Sequence, residues 1–257
     1  MPMTPILSSK WDGLSPHLIA TFYEVERGGA DKQSWVRAGK DAADSVVVKA
    51  PLTEASLEMT LNWQSPFESA GADRGVPTLS AMLQSGALQP FVNPSGKVSD
   101  TIGKFEGRTG ITKLNSIQVF SGMPPVKIHV AALLRAWSDP AAEVEAPFEQ
   151  LMRWALPLKL ASGGAILSLL DGVKQVAAGK PLDDAAAQAL LPSLAPPKIA
   201  MHYKGRLFSP LVIESIGQPL ASPVNRQGQF VELSVPMTLC TLAAIDRDDW
   251  SGARRAL

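Results

Sequence analysis

Cysteine is nearly absent from this chain. Cys240 is the only one among 257 residues, which excludes an intrachain disulfide and leaves too few thiolates for a structural zinc site. Its neighbours Thr238, Leu239, Thr241 and Leu242 form an apolar, β-prone run, so a buried strand thiol is expected rather than a reactive one. Histidine is almost as sparse. His17, His129 and His202 stand far apart, with no pair at the spacing that would place two imidazoles on one helix face, and no metal site is expected.

Net charge is also missing. The 24 basic and 24 acidic residues cancel, so there is no long-range field to gather nucleic-acid phosphates or anionic lipid headgroups. Even the locally basic residues Lys10, Arg27, Lys32, Arg37 and Lys40 interleave with Glu24, Glu26, Asp31, Asp41 and Asp44, the pattern of a mixed, solvated surface. No apolar run approaches the roughly 20 residues that a bilayer requires. The opening MPMTPILSSKWDGLSPHL lacks the basic, apolar and small-residue succession of a secretory signal. The expectation is a soluble protein made in the cytoplasm, with no membrane partner.

Catalytic signatures are equally lacking. There is no GxSxG elbow, no phosphate loop ending in GK[ST] and no GxGxxG, and Gly71 and Gly75 in SAGADRGV read as loop flexibility. Glu143, Glu145 and Glu149 open a helix, where acids complement the macrodipole from a solvated face. The sequence predicts no enzyme, no cofactor, no metal and no catalytic residue.

What the chain does have is strand patterning. With 46% hydrophobic residues it can bury a substantial core. Ile19–Val25 and Ser45–Lys49 are expected as strands on either side of the polar stretch 26–44. In Ala55–Trp63, Leu57, Met59, Leu61 and Trp63 fall on one face, as a half-buried strand requires. Ser116–Ser121 and Val126–Trp137 flank Gly122-Met123-Pro124-Pro125 and predict a hairpin-like pair. A helix should follow over Pro140–Leu156, with Asp139 as N-cap, Pro140 at the first position and Val144, Phe148, Leu151, Met152 and Ala155 as its apolar stripe; Pro157 stops it. Ile199–Tyr203, Leu211–Ile216 and Gln229–Leu239 are the last expected strands, with Ser209-Pro210 between the first two.

Two excursions interrupt this order. The segment 64–110 is divided by Pro66, Pro77, Pro90 and Pro94 and holds a short helical piece at Thr78–Ala87; a second, 162–195, has helical spacing and an Ala-rich run from Asp183 to Leu191. The six tryptophans, Trp11, Trp35, Trp63, Trp137, Trp154 and Trp250, mostly sit at element ends, which suits subunit contacts as well as core edges.

The succession KIHVAALLRAWSDPAAEVEAPFEQLMRWALPLKLA at Lys127–Ala161, then PPKIAMHYKGRLFSPLVIESIGQPLASPVNRQGQFVELSVPMTLCTLAAIDRDDW at Pro196–Trp250, resembles the tail-tube fold of contractile-tailed bacteriophages. It is similar to their minor tail proteins and tube-initiating baseplate proteins. These two stretches cover about ninety residues, and the N-terminal half matches by element order alone. The resemblance implies an α+β chain: one tail-tube-like domain over 1–257, an antiparallel β-barrel or sandwich with a flanking helix and helical insertions at 64–110 and 162–195.

It further implies a virion structural protein, a homo-hexameric ring at the baseplate hub that nucleates or connects the tail tube. Partners would be the tail tube protein, baseplate hub proteins and the tape measure protein, with DNA only as passing cargo; the location would be the tail baseplate of the virion. The segment expected to pair between subunits is Phe230, Val231, Glu232, Leu233, Ser234 and Val235, because an open strand edge can continue a sheet across a boundary, while Pro236 lacks a donor. Alternatives are a tail completion or sheath-adaptor protein and a peptidoglycan-binding baseplate adaptor.

Overall fold

The structure, a computed structural model, describes residues 5–28, 34–39, 46–64, 117–160 and 193–254. The chain divides into two compact units, Thr60–Met123 and a larger one comprising Met1–Met59 with Pro124–Leu257. The strands described are β1 (Ile6–Ser8), β2 (Ile19–Gly28), β3 (Ser34–Arg37), β4 (Val47–Glu58), β5 (Asn62–Gln64), β6 (Val119–Gly122), β7 (Lys127–Arg135), β8 (Lys198–Tyr203), β9 (Arg206–Ile216) and β10 (Glu232–Thr241).

In the larger unit the sheet runs β4-β7-β10-β9-β8-β2, and β2 then pairs back onto β4 from Ile19↔Pro51 to Tyr23↔Val47. The six strands therefore close on themselves, all neighbours antiparallel. Closure satisfies both edges of a sheet that would otherwise expose a row of unpaired amides and carbonyls. Alternation supplies the core: Ala20 and Phe22, Val48 and Ala50, Ile128 to Leu134 at every second position, and Leu233, Val235, Met237 and Leu239 all point inward and are buried. Each fully buried Leu or Phe contributes about 1.5–3 kcal/mol. β1 lies parallel along the start of β4, and β3 lies antiparallel along the end of β2.

The helix enters as its sequence requires. Asp139 Oδ1 accepts from the Ala141 and Ala142 amides at 3.1 and 3.3 Å. The first turn, Ala141–Glu145, is a π turn, followed by α1 (Ala146–Ala155). Val144, Phe148, Leu151 and Trp154 carry one buried face into the barrel core. Pro147 has no N–H, so the Glu143 carbonyl lacks its α-helical donor; the Ser9 hydroxyl lies 3.2 Å from that oxygen and also contacts the Arg135 carbonyl. After β10 the chain forms α2 (Arg247–Gly252), held by a capping box between Asp246 and Asp249.

Several expectations are corrected. β4 is one strand from Val47 to Glu58, where two separate pieces were expected, because a bulge between Leu52 and Glu54 breaks the alternation without breaking the ladder. Leu57 packs against the core, but Met59, Leu61 and Trp63 are exposed. β3 arises inside the polar stretch 26–44. β6 and β7 do not form a hairpin: β6 pairs with β5, and β7 pairs with β4 and β10, since Pro124 and Pro125 carry no donors to close a tight turn. Ser209-Pro210 lies within β9, and the chain instead reverses at Lys204-Gly205, both at positive φ, in a two-residue hairpin. The final strand spans Glu232–Thr241 in place of Gln229–Leu239.

In the smaller unit, β5 and β6 form a two-stranded ribbon with Trp63 and Phe120 rings 5.4 Å apart, and Ser121 Oγ donates to the Asn62 carbonyl at 3.1 Å. The expected helical piece Thr78–Ala87 and the Ala-rich run Asp183–Leu191 lie outside the described residues, as do the excursions 64–110 and 162–195 apart from Gln64 and residues 193–195.

Candidate assembly surface

The barrel is not covered equally along every strand. β7 pairs β10 from Glu232 to Cys240, whereas β9 pairs it only from Met237 to Thr241. The Gly217 amide donates to the Pro236 carbonyl at 2.9 Å, and the chain then leaves β10. Beyond that point the side of Glu232–Val235 facing away from β7 carries no strand among the described residues.

The departing loop is rigidly built. Asn225 Oδ1 accepts from the Gln227 and Gln229 amides at 3.0 and 2.9 Å, its Nδ2 donates to Gln229 Oε1 at 2.8 Å, and its own amide donates to the Gln229 carbonyl. Gly228 completes the turn at φ 83°, a conformation that favours glycine. Val224 bridges Phe230, and the Val231 amide donates to the Pro223 carbonyl at 3.0 Å.

The six residues singled out as an inter-subunit strand therefore divide. Phe230 and Val231 belong to the end of the loop, with the Val231 carbonyl accepting from the Ala136 amide at 2.8 Å. Glu232 begins β10 and pairs with Arg135 at 2.5 Å. Leu233 and Val235 point into the barrel and are fully buried, while Ser234 is exposed. Backbone groups alternate sides along a strand. Because the Pro236 carbonyl faces Gly217, the Ser234 amide and carbonyl face the same, open side.

The outer wall across β4, β7, β10 and β9 is polar. Lys127 Nζ donates to Glu214 at 2.7 Å, and His129 lies between Glu58, 3.4 Å away, and Thr238 Oγ1, 3.2 Å away. These are exposed cross-strand contacts, and solvent screening keeps each of them weak. His17 and His202 are elsewhere, and among the described residues no group of three or more His, Cys, Asp or Glu could hold a metal. Cys240 is half-buried on this wall, not fully buried as expected; desolvation and nearby Glu214 raise its thiol pKa, against a smaller lowering by Lys127.

Glu143 departs furthest from its expected solvated position. It is buried, and its carboxylate accepts from the Ser138 hydroxyl at 2.6 Å, the Trp137 amide at 2.6 Å and the Ser138 and Asp139 amides at 3.3 Å each. Those donors, the Ser138 hydroxyl foremost, hold its pKa below the ordinary carboxylate value. It clamps the β7-to-helix corner through these bonds. The only sequence signal for this was its position four residues after the Asp139 cap.

No protein-family model matches the chain, and no curated protein matches it.

Proposed function

We propose that this protein is a virion structural protein of a phage tail that forms a ring at the baseplate hub and nucleates or connects the tail tube. The observation that carries the reading is the half-covered strand: a closed barrel with one segment, Glu232–Val235, open on the side away from β7. A strand from a second copy laid there would satisfy the Ser234 backbone groups and continue the sheet from subunit to subunit. Where such a contact joins two different surfaces and the rotation between copies closes, repetition builds a ring. The order of long strand, capped helix and terminal strands on which the tail-tube resemblance rests is consistent with this assembly. The ring would be a homo-hexamer, with the tail tube protein, hub proteins and tape measure protein as neighbours.

Ser234→Pro is the decisive variant. Its missing N–H is one that faces the open side, so the barrel ladder to β7 is retained while pairing with another copy is blocked. Native mass spectrometry should find rings for the parent and monomers for the variant, and electron microscopy of particles should place the parent protein at the baseplate end of the tube. A parent that is monomeric at high concentration and in the particle, or a variant that still forms rings, would sink the proposal. Location at the head-proximal end would favour the tail-completion alternative.

A further inference from the structure

The larger unit holds a cleft of about 600 Å³ between the β2/β3 hairpin and the C-terminal segment around α2, within the range of about 300–1,000 Å³ typical of ligand sites. Its lining is mixed: Phe208, Pro210, Trp35 and Trp250 contribute apolar surface, and Arg27 and Asp249 contribute charge. We propose that this cleft is a binding site for a short pyranose oligosaccharide, with the Trp250 indole as stacking platform and Asp249 as hydroxyl acceptor.

The Trp250 platform is fixed in place. The Arg206 guanidinium lies 4.0 Å from the Trp250 ring centroid and donates from Nη1 to the Trp250 carbonyl at 3.2 Å. Trp250 lines the cleft and stays partly exposed, with the Arg206 guanidinium over its ring. Arg27, itself in the cleft lining, stacks on Trp35 at 4.8 Å, so this second indole serves as wall and not as platform. α2 is anchored by its capping box and by the Leu207 amide donating to the Ala253 carbonyl at 2.7 Å. An indole held this way presents a flat, polarisable surface to the axial C–H groups of a sugar ring without losing rotamer freedom on binding.

The polar groups fit the same chemistry. Asp249 Oδ2 accepts from the Asp246 amide at 3.1 Å, while Oδ1 accepts no hydrogen bond among the described residues. A carboxylate oxygen at the rim of an aromatic cleft takes a sugar hydroxyl as a charge-assisted bond. An extended peptide suits the cleft less well, because the strand ends along it are already paired: the Thr241 amide donates to the Val126 carbonyl at 3.0 Å and the Leu207 amide is taken by Ala253. Recognition here falls to side chains.

The test uses the full chain, with chitotetraose and maltotetraose as probes, a proline-rich decapeptide as comparison, and calorimetry with tryptophan fluorescence as readouts. One tetrasaccharide should bind with a Kd below about 10 mM and change the emission; which one binds separates an N-acetylated cell-wall-type glycan from a neutral hexose chain. Trp250→Ala should weaken that binding by at least about tenfold. Asp249→Asn keeps an acceptor for the Asp246 amide and should weaken it by about threefold or more, with an unchanged melting temperature. The proposal is overturned if neither saccharide binds, if the decapeptide binds in their place, or if both folded variants bind like the parent.

Discussion

The Gly217 amide meets the Pro236 carbonyl at 2.9 Å, and a Cβ built on Gly217 would stand 2.9 Å from Pro236 Cγ. This contact ends the cover that β9 gives β10, and it has no room for a side chain. Gly217→Ala should therefore destabilise the fold by about 1–2 kcal/mol through overpacking against a rigid ring. Adding Pro236→Ala should recover part of that loss, giving a favourable coupling in a double-mutant cycle followed by urea unfolding. Strict additivity would show that the two residues do not press on each other.

Leu233 and Ser234 are adjacent but should behave oppositely. Leu233 is fully buried and Ser234 is exposed. Leu233→Ala should cost about 2–5 kcal/mol by opening a cavity in the barrel. Ser234→Ala should stay within about 0.5 kcal/mol. Equal losses in thermal melts would contradict the inward and outward assignment along β10.

Glu143 makes stability depend on acid. Its folded pKa is lowered, so the stability it contributes is complete above the unfolded value of about 4.3 and is lost as pH falls through the lowered folded value. Glu143→Gln should cost about 2 kcal/mol at neutral pH, since amide donors would then face a group that cannot accept from all of them. The gap between parent and variant should close as pH falls below about 4. A gap that is constant from neutral to strongly acidic pH would remove the carboxylate from this role.

Ser9 supplies the donor that Pro147 cannot. With the hydroxyl removed in Ser9→Ala, the Glu143 carbonyl loses its 3.2 Å contact and stability should fall by about 1–2 kcal/mol. Denaturant midpoints compared at fixed m-value provide the check.

Cys240 should be a slow thiol. Burial first, then Glu214, raise its pKa, so its reaction with a disulfide reagent at about pH 8 should lag behind that of a small free thiol. Lys127 opposes the shift; Lys127→Ala should slow the reaction further, and acceleration would reverse the assignment.

The strands that alternate strictly were legible before any fold was known. Lys127–Arg135 and the run through Leu233, Val235, Met237 and Leu239 are readable because one face of each is core and the other is solvent. β3 was hidden because its four residues lie along a neighbouring strand outside the closed ring and need little apolar signal. β9 was shortened in the reading because Ser209-Pro210 carries a turn signature, although proline is tolerated where the strand is unpaired on one side. Glu143 was misplaced because helix-start acids are ordinarily solvated, and its spacing from Asp139 alone does not reveal that the Trp137 and Ser138 amides converge on it.

Local chemistry in the sequence by itself determined the strictly alternating strands and the helix after them, where Asp139 and Pro157 would bound that helix, and that Cys240 would find no disulfide partner in its own chain. These follow from periodicity, capping and counting, which act over a few residues. Only the tertiary structure decided that the sheet closes through β2 and β4, that β10 is covered on both sides from Met237 but on one side at Ser234, and that Trp35 and Trp250 share a cleft. Those outcomes depend on which distant strands exchange hydrogen bonds, and pairing between residues far apart in the chain leaves no periodic mark on either partner.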